Sequence, residues 1–192
     1  MQVYFATSNK NKYREAKEII GNVKRFEFNH IEIRSDSLEE IAIEAVKVAY
    51  TKIKKPVFVE DTGLFIKSLN GFPGTYSGWV FKKIGNKGIL KLLKGIKKRG
   101  AEFRTCIAFN DGTRIKTFFG VCKGKIAVNE RGKQGFGYDS IFIPEGYKYT
   151  FGESKSLKNK LSHRYNSLLK LSRYFKKNKF WESQHVRDII KY

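Results

Sequence analysis

The chain has 192 residues, 41% of them hydrophobic, and 39 Lys and Arg against 18 Asp and Glu give a formal net charge of +21. That length and apolar content support one sizeable domain with a buried core and exclude a disordered chain, and no apolar run approaches the ~20 residues a membrane span needs. The charge suits a polyanionic partner such as nucleic acid, an acidic membrane surface or a phosphorylated substrate, and equally a lysine-rich surface of the kind thermophilic proteins carry.

In chain order, Gln2–Ala6 is a short β-prone strand, and Asn9, Lys10 and Lys12 interrupt its apolar run too soon for a secretory signal. Lys10–Ile20 places Tyr13, Ala16 and Ile20 on one helical face, and Gly21 closes it. A second strand is predicted over Lys24–Ile33. Ser37 then N-caps a long helix, with Glu40 three residues on and Leu38, Ile41, Ala45, Val48 and Ala49 as its apolar stripe. After Pro56 a compact strand, Val57–Val59, delivers Glu60-Asp61-Thr62-Gly63 at its C-terminal end.

Asn70–Gly74 reads as a loop and Lys87–Lys98 as a helix. Glu102–Phe109 and Arg114–Cys122 form a hairpin turning at Asp111-Gly112. Cys106 then faces a residue several positions before Cys122, so no disulfide is expected and a reducing cytoplasm is the expected compartment. Further strands are predicted from Lys125 and over Ser140–Ile143, after the glycine-rich stretch Gly132–Gly137, and a last helix over Leu161–Phe175. Alternating strands and helices followed by antiparallel strands predict an α/β fold: a mixed central β-sheet, helices on both sides and two lobes around a cleft. No linker divides residues 1–192, so a single domain is expected.

Several clusters offer chemistry. The loop Thr7-Ser8-Asn9-Lys10-Asn11-Lys12 between strand and helix supplies hydroxyls, amides, ammonium groups and helix-start N–H donors suited to phosphate oxygens. It lacks the glycines of a Walker loop, and an ordinary βα turn capped by Ser8 or Asn9 remains open. Glu60 and Asp61 suit a Mg²⁺ site or water activation, or else Asp61 makes an Asx turn with Thr62-Gly63. In Gln134-Gly135-Phe136-Gly137-Tyr138-Asp139 the glycines allow close backbone approach and Phe136 or Tyr138 offers a stacking face, although a turn with core aromatics has the same pattern. Ser162-His163-Arg164 begins a helix with two donors suited to a purine O6, and Lys158 can reach a phosphate or the base.

Taken together, Thr7-Ser8-Asn9-x-x-Lys12, Val59-Glu60-Asp61-Thr62-Gly63-Leu64, Asn70-Gly71-Phe72-Pro73-Gly74-Thr75-Tyr76-Ser77, Gly135-Phe136-Gly137-Tyr138-Asp139 and Lys158-x-x-x-Ser162-His163-Arg164 resemble, in order, the motifs of the inosine triphosphate pyrophosphatase (Ham1-like) family. The match runs to about Phe175; Maf-type pyrophosphatases share the fold but lack the Ser-His-Arg ending. The resemblance implies an ITPase-like, anticodon-binding-like α/β fold and a Mg²⁺-dependent homodimer. Such an enzyme converts ITP, dITP or XTP to the monophosphate and pyrophosphate. It also implies that Thr7 through Lys12 hold the phosphates and that Asp61 binds metal as the catalytic acidic group, with Glu60 assisting and Lys12 supporting catalysis. Thr62 would touch substrate, Phe136 stack the base within Gly137-Tyr138, Asp139 meet base or sugar, and His163 and Arg164 read the 6-oxo group, which adenine lacks.

The chain departs from the family in several places. The connection Arg34-Ser35-Asp36-Ser37 is several residues short of the loop that commonly carries an acidic metal ligand. Asp36 is the nearest substitute, with Glu32, Glu39 and Glu40 less well placed. Gly78-Trp79 stands where a basic residue is common, Ser140 where a Pro is, and Leu157 where a Glu is. Residues 180–192 form an extension without an assigned role. Two other readings predict different behaviour: a nucleic-acid-binding protein with strongly salt-dependent affinity, and a family member that binds nucleotides without hydrolysing them. Lysines spread through every segment favour a general surface property over a nucleic-acid groove.

Overall fold

The computed structural model describes residues 2–31, 33–178 and 180. Its elements run β1 (Val3–Ala6), α1 (Lys10–Ile20), β2 (Val23–Phe26), α2 (Leu38–Ile53), β3 (Val57–Ile66), β4 (Pro73–Gly74), α3 (Ser77–Leu92), β5 (Gly100–Asn110), β6 (Ile115–Ile126), β7 (Phe142–Pro144), α4 (Lys155–Leu161) and α5 (His163–Lys177). The strands make one open, mixed sheet in the order β2-β1-β3-β5-β6-β7, with β4 against β3. β1 is parallel to β2 and β3, and β3, β5, β6 and β7 pair antiparallel. The α/β expectation is met.

Helices cover both faces of the sheet. Phe5, Phe58, Ile107 and Phe109 pack beneath α1 and α5 against Ala16, Ile20, Leu168, Leu171 and Phe175. On the opposite face Ala6, Val57, Val59, Cys106 and Ala108 meet Leu38, Ala42, Ala45, Val46 and Ala49 of α2. A third core gathers the far ends of β3, β5 and β6 with α3 and β7, through Leu64, Ile66, Ile89, Leu93, Phe103 and Phe142. Phe180 packs on Phe109 at 5.2 Å between centroids, so the predicted extension begins inside the core; its remainder, 181–192, lies outside the described residues. No helix among the described residues is long and apolar enough to cross a membrane.

The cap assignments agree with the structure: Asn9 caps α1, and Ser37 Oγ accepts from Glu40 N to start α2. Several boundaries differ. β2 stops at Phe26 instead of Ile33, because its partner β1 ends at Ala6, the residue paired with Phe26. β3 does not end at Val59: β5 pairs with it from Val57↔Asn110 to Ile66↔Ala101. α3 starts at Ser77, ten residues before the predicted helix, and Gly85 at φ 59 kinks it; it ends at Leu92 instead of Lys98. The strand expected from Lys125 is the end of β6, and Gly137–Ile141 is a 3₁₀ turn that delays β7 to Phe142. Lys155–Leu161 is an additional helix, α4, so α5 starts at His163. In the hairpin Cys106 faces Phe119 and Cys122 faces Phe103, and both thiols are free and buried.

Candidate active site

The main cleft exists because β1 is short and β3 is long. β1 pairs with β3 only at Tyr4↔Val57 and Phe5↔Phe58, and β4 covers β3 again only at Leu64 and Phe65. Between these contacts the edge of β3 lies open beside the loop after β1, and the cleft there measures about 1010 Å³. It is lined by Thr7, Ser8, Asn9, Lys12, Glu60, Asp61, Thr62, Phe136, Gly137, Tyr138, Asp139, Lys158, His163 and Arg164. Of the residues expected to bind phosphate or metal, Lys10, Asn11, Asp36, Glu39 and Glu40 do not line it.

The loop's own chemistry explains which of its members face inward. Asn9 Oδ1 accepts from the N–H groups of Asn11 and Lys12 at 2.9 and 3.2 Å, and Asn9 N donates to Thr7 Oγ1 at 3.1 Å. This cap turns Lys10 and Asn11 outward, while Lys12 Nζ reaches across to donate to the Glu60 carbonyl on the open edge of β3 at 3.1 Å.

Successive side chains of a strand point to opposite faces, and that alternation separates Glu60 from Asp61. Glu60 shares the face of Phe58 and meets α5. Arg164 Nε and Nη2 donate to its carboxylate at 2.8–3.0 Å, and Thr62 Oγ1 adds a bond of 2.8 Å. Burial by itself would raise the Glu60 carboxyl, but the charges of Arg164 and Lys12 more than reverse it and hold it at about 2. Asp61 shares the face of Val59 and Cys106. Burial first, then the charges of Glu39 and Asp61, push the Cys106 thiol up to about 12.

From Glu60 a chain of alternating charges runs through the interior. Arg164 Nη1 donates to Glu15 at 2.6 Å, Lys158 Nζ lies 2.7 Å from Glu15, and the same ammonium lies 2.7 Å from Asp139. Asp139 Oδ2 also accepts from Phe136 N at 2.7 Å; burial pushes its carboxyl up, against the pull of Lys158. A Cβ on Gly135 (φ +79) would lie 2.2 Å from that oxygen, so the glycine is what lets Asp139 cap the turn. The Phe136 ring lies over Lys158 Nζ at 4.1 Å and over the Arg164 guanidinium at 5.4 Å.

Ser162 ends α4 and caps α5, accepting from Tyr165 N, and so fixes His163 and Arg164 at a helix corner. His163 stacks on Phe103 at 4.5 Å, and its Nδ1 has no hydrogen-bond partner among the described residues. Burial, then the neighbouring Arg164 charge, holds its imidazole well below the usual range, so the ring is neutral at pH 7. Gly120 on β6 allows this close docking: a Cβ there would lie 1.9 Å from the His163 carbonyl. Tyr138 is more structural than the sequence suggested, with its ring edge-on to Phe81 and its hydroxyl donating to the Ser77 carbonyl at 3.0 Å.

The metal expectation changes most. Glu60 and Asp61 leave β3 on opposite faces, and the Glu60 oxygens already accept a guanidinium. Asp36 is exposed and off the cleft, Glu40 accepts from Ser35 Oγ, and Glu32 lies outside the described residues. Glu39 accepts from Thr117 Oγ1 at 2.7 Å and bears on Cys106 together with Asp61. Among the described residues no three His, Cys, Asp or Glu side chains converge on a metal position. Of the carboxylates that line the cleft, Asp61 is the one that would hold a Mg²⁺ ion.

Glu15 is the half-buried charged residue of this network that the sequence did not single out. Its spacing of three from Lys12 puts it on the next turn of α1, a signal readable only once the ends of both side chains are known to turn inward. Phe28, His30, Arg34, Trp79 and Lys82 also line the cleft and were not among the predicted site residues.

An open mixed sheet with a donor-rich loop, an edge-on carboxylate strand and a buried Ser-His-Arg corner defines an α/β protein built to hold an anionic ligand. The Ham1 family model matches residues 3–174, and the chain belongs to that family. It is 48% identical over 184 residues to the dITP/XTP pyrophosphatase of Methanopyrus kandleri, covering 93% of this chain and 98% of that protein. With the dITP/XTP pyrophosphatase of Saccharolobus solfataricus it shares 49% over 174 residues, covering 88% and 90%. The structure of the Staphylococcus aureus Ham1 protein superposes with a TM-score of 0.82 at 28% identity, covering 93% of this chain and all of that one.

Proposed function

We propose that this chain hydrolyses aberrant purine nucleoside triphosphates, dITP, XTP and ITP, to the monophosphate and pyrophosphate, in the cytoplasm and with Mg²⁺. It is a nucleoside-triphosphate pyrophosphatase by family and by its long, full-coverage similarity to enzymes of that name. The observation that carries the substrate reading is the buried His163 beside Arg164 in the lining of the cleft. A neutral imidazole retains one donor, and Arg164 keeps a second N–H on both Nη1 and Nη2 beyond those given to Glu60 and Glu15. Donors held this rigidly match a 6-oxo group and leave an amino group unsatisfied.

The Thr7 and Ser8 hydroxyls bind the phosphates, and Lys12 stands between them and β3. When bound, Mg²⁺ supplies charge neutralisation on the pyrophosphate leaving group. Asp61 would hold it and would orient the attacking water toward the α-phosphorus. Phe136 stacks on the base. Pyrophosphate release from XTP, dITP, ITP, GTP and ATP, with and without Mg²⁺, tests the proposal. We expect turnover of the first three only with the metal, and equal rates on ATP would overturn the base-reading assignment.

A homodimer belongs to the same proposal. α2 covers only one end of its sheet face, and farther along the same face Phe119 and Val121 of β6 are 42% and 43% exposed. Apolar side chains side by side on an otherwise lysine-rich surface suit burial against a second copy. Sedimentation velocity should give a dimer mass that falls to the monomer in Phe119→Lys; a monomeric parent chain would remove the idea.

A further inference from the structure

The buried charges beside the cleft are already matched with one another. Lys12, Lys158 and Arg164 lie on the carboxylates of Glu60, Glu15 and Asp139, cation for anion. Lys158 and Arg164 are not spare for a triphosphate tail, because drawing either away leaves a buried carboxylate uncompensated, and Lys12 is tied to the Glu60 carbonyl and carboxylate. Two other cations line the cleft, Arg34 and Lys82. Both are exposed, and neither forms an ion pair among the described residues.

They stand on walls that are tied together. Arg34 belongs to the segment before α2, and Lys82 to the second turn of α3. Thr75, just before α3, donates through Oγ1 to the Ser35 carbonyl at 2.7 Å. Ser35 Oγ in turn donates to Glu40 at 2.6 Å and accepts from Ser37 N at 3.0 Å. The backbone beside Arg34 is thereby anchored to the loop that leads into the helix of Lys82. The long side chains stay solvated at the mouth until an anion arrives.

We propose that Lys82 and Arg34 form a clamp for the triphosphate tail, selecting the triphosphate over the monophosphate product; the proposal rests on the nucleotide reading above. The fixed network around Glu60 and Asp139 then reads the base end, and the unpaired cations read the length of the phosphate chain. Lys83 is the internal control. It is the next residue on α3, but its ammonium lies over the Trp79 ring at 5.7 Å and it does not line the cleft.

Calorimetric titration of XTP and of XMP in EDTA, where binding is read apart from turnover, compares Lys82→Ala, Arg34→Ala and Lys83→Ala with the parent chain. Loss of a charge-assisted contact weakens XTP binding about tenfold in each of the first two. XMP binding stays unchanged, and the slope of log affinity for XTP against log salt becomes shallower. Lys82→Arg restores affinity, and Lys83→Ala matches the parent. Equal losses in all three alanine variants would reduce the effect to the general field of a highly cationic surface and overturn the clamp. So would an equal loss for XMP. The parent chain's turnover of the triphosphate panel decides the enzymatic reading separately, and the binding comparison stands whichever way that assay falls.

Discussion

Asp61→Asn lowers kcat on XTP or dITP by about 10²–10⁴-fold and leaves the unfolding temperature close to that of the parent. The expectation follows from the side of β3 on which Asp61 lies. It faces α2 at the open edge of the strand, in the cleft, whereas its neighbour Glu60 faces α5 and carries the buried ion pair. A neutral amide at position 61 keeps the shape but cannot hold Mg²⁺ or align water for attack. Steady-state kinetics with a thermal melt on the same sample checks both halves. Near-normal turnover in the variant would remove Asp61 from the mechanism, and a large loss of stability would show that it serves the fold.

Arg164→Ala is expected to destabilise the protein by about 3–5 kcal/mol, the usual penalty for breaking a buried ion pair from one side. It strands Glu60 and Glu15 together, both deprived of the guanidinium that offsets their burial. Whatever folded enzyme remains should discriminate poorly between XTP and ATP. The same pair sets an acid limit. The Glu60 carboxyl is lowered from 4.5 to about 2 by folding, so its contribution is complete above the ordinary carboxylate range. That contribution is lost as pH falls through about 4.5 toward about 2. Denaturant melts across this window should show a steep loss of stability in the parent and a flatter one in Glu60→Gln. A flat profile in both would mean the pair does not hold in solution.

These expectations invert the simplest reading of Glu60-Asp61. As adjacent acids they look like one metal site, and the motif by itself offers no reason to separate them. The separation appears once β3 is known to run on to Ile66: inside a strand, neighbours must diverge. Had the strand ended at Val59, a turn could have aimed both carboxylates at one ion. Strand length was hidden because it depends on β5, which lies some forty residues away in sequence and supplies the pairing that keeps β3 extended. The same reasoning covers β2, whose end is set by the length of β1.

Local chemistry was legible where it is self-contained. Asn9 and Ser37 cap helices because the cap bond closes within three residues, and the Asp111-Gly112 turn follows from short-range backbone preference. The order of the motifs likewise pointed to the family without any contact being known. Glu15 and Lys82 were not legible, because a charged residue on a helix looks the same whether it faces solvent, a buried partner or a cleft.

For this protein, then, the linear chain determined the starts of α1 and α2, the hairpin, the mixed α/β class and many of the polar groups that line the cleft. The caps, the hairpin and the class follow from spacing, capping and composition within short windows, and the cleft groups from the order of the family motifs. Only the tertiary structure decided what the charged groups do. Pairing with β5 sends Glu60 and Asp61 to opposite faces, and docking of α5 over Gly120 brings Arg164 onto Glu60 and Glu15. The buried cations are thereby neutralised, and Arg34 and Lys82 are left at the mouth. Charge is written in the sequence, but whether it is compensated depends on which distant residue folding puts beside it.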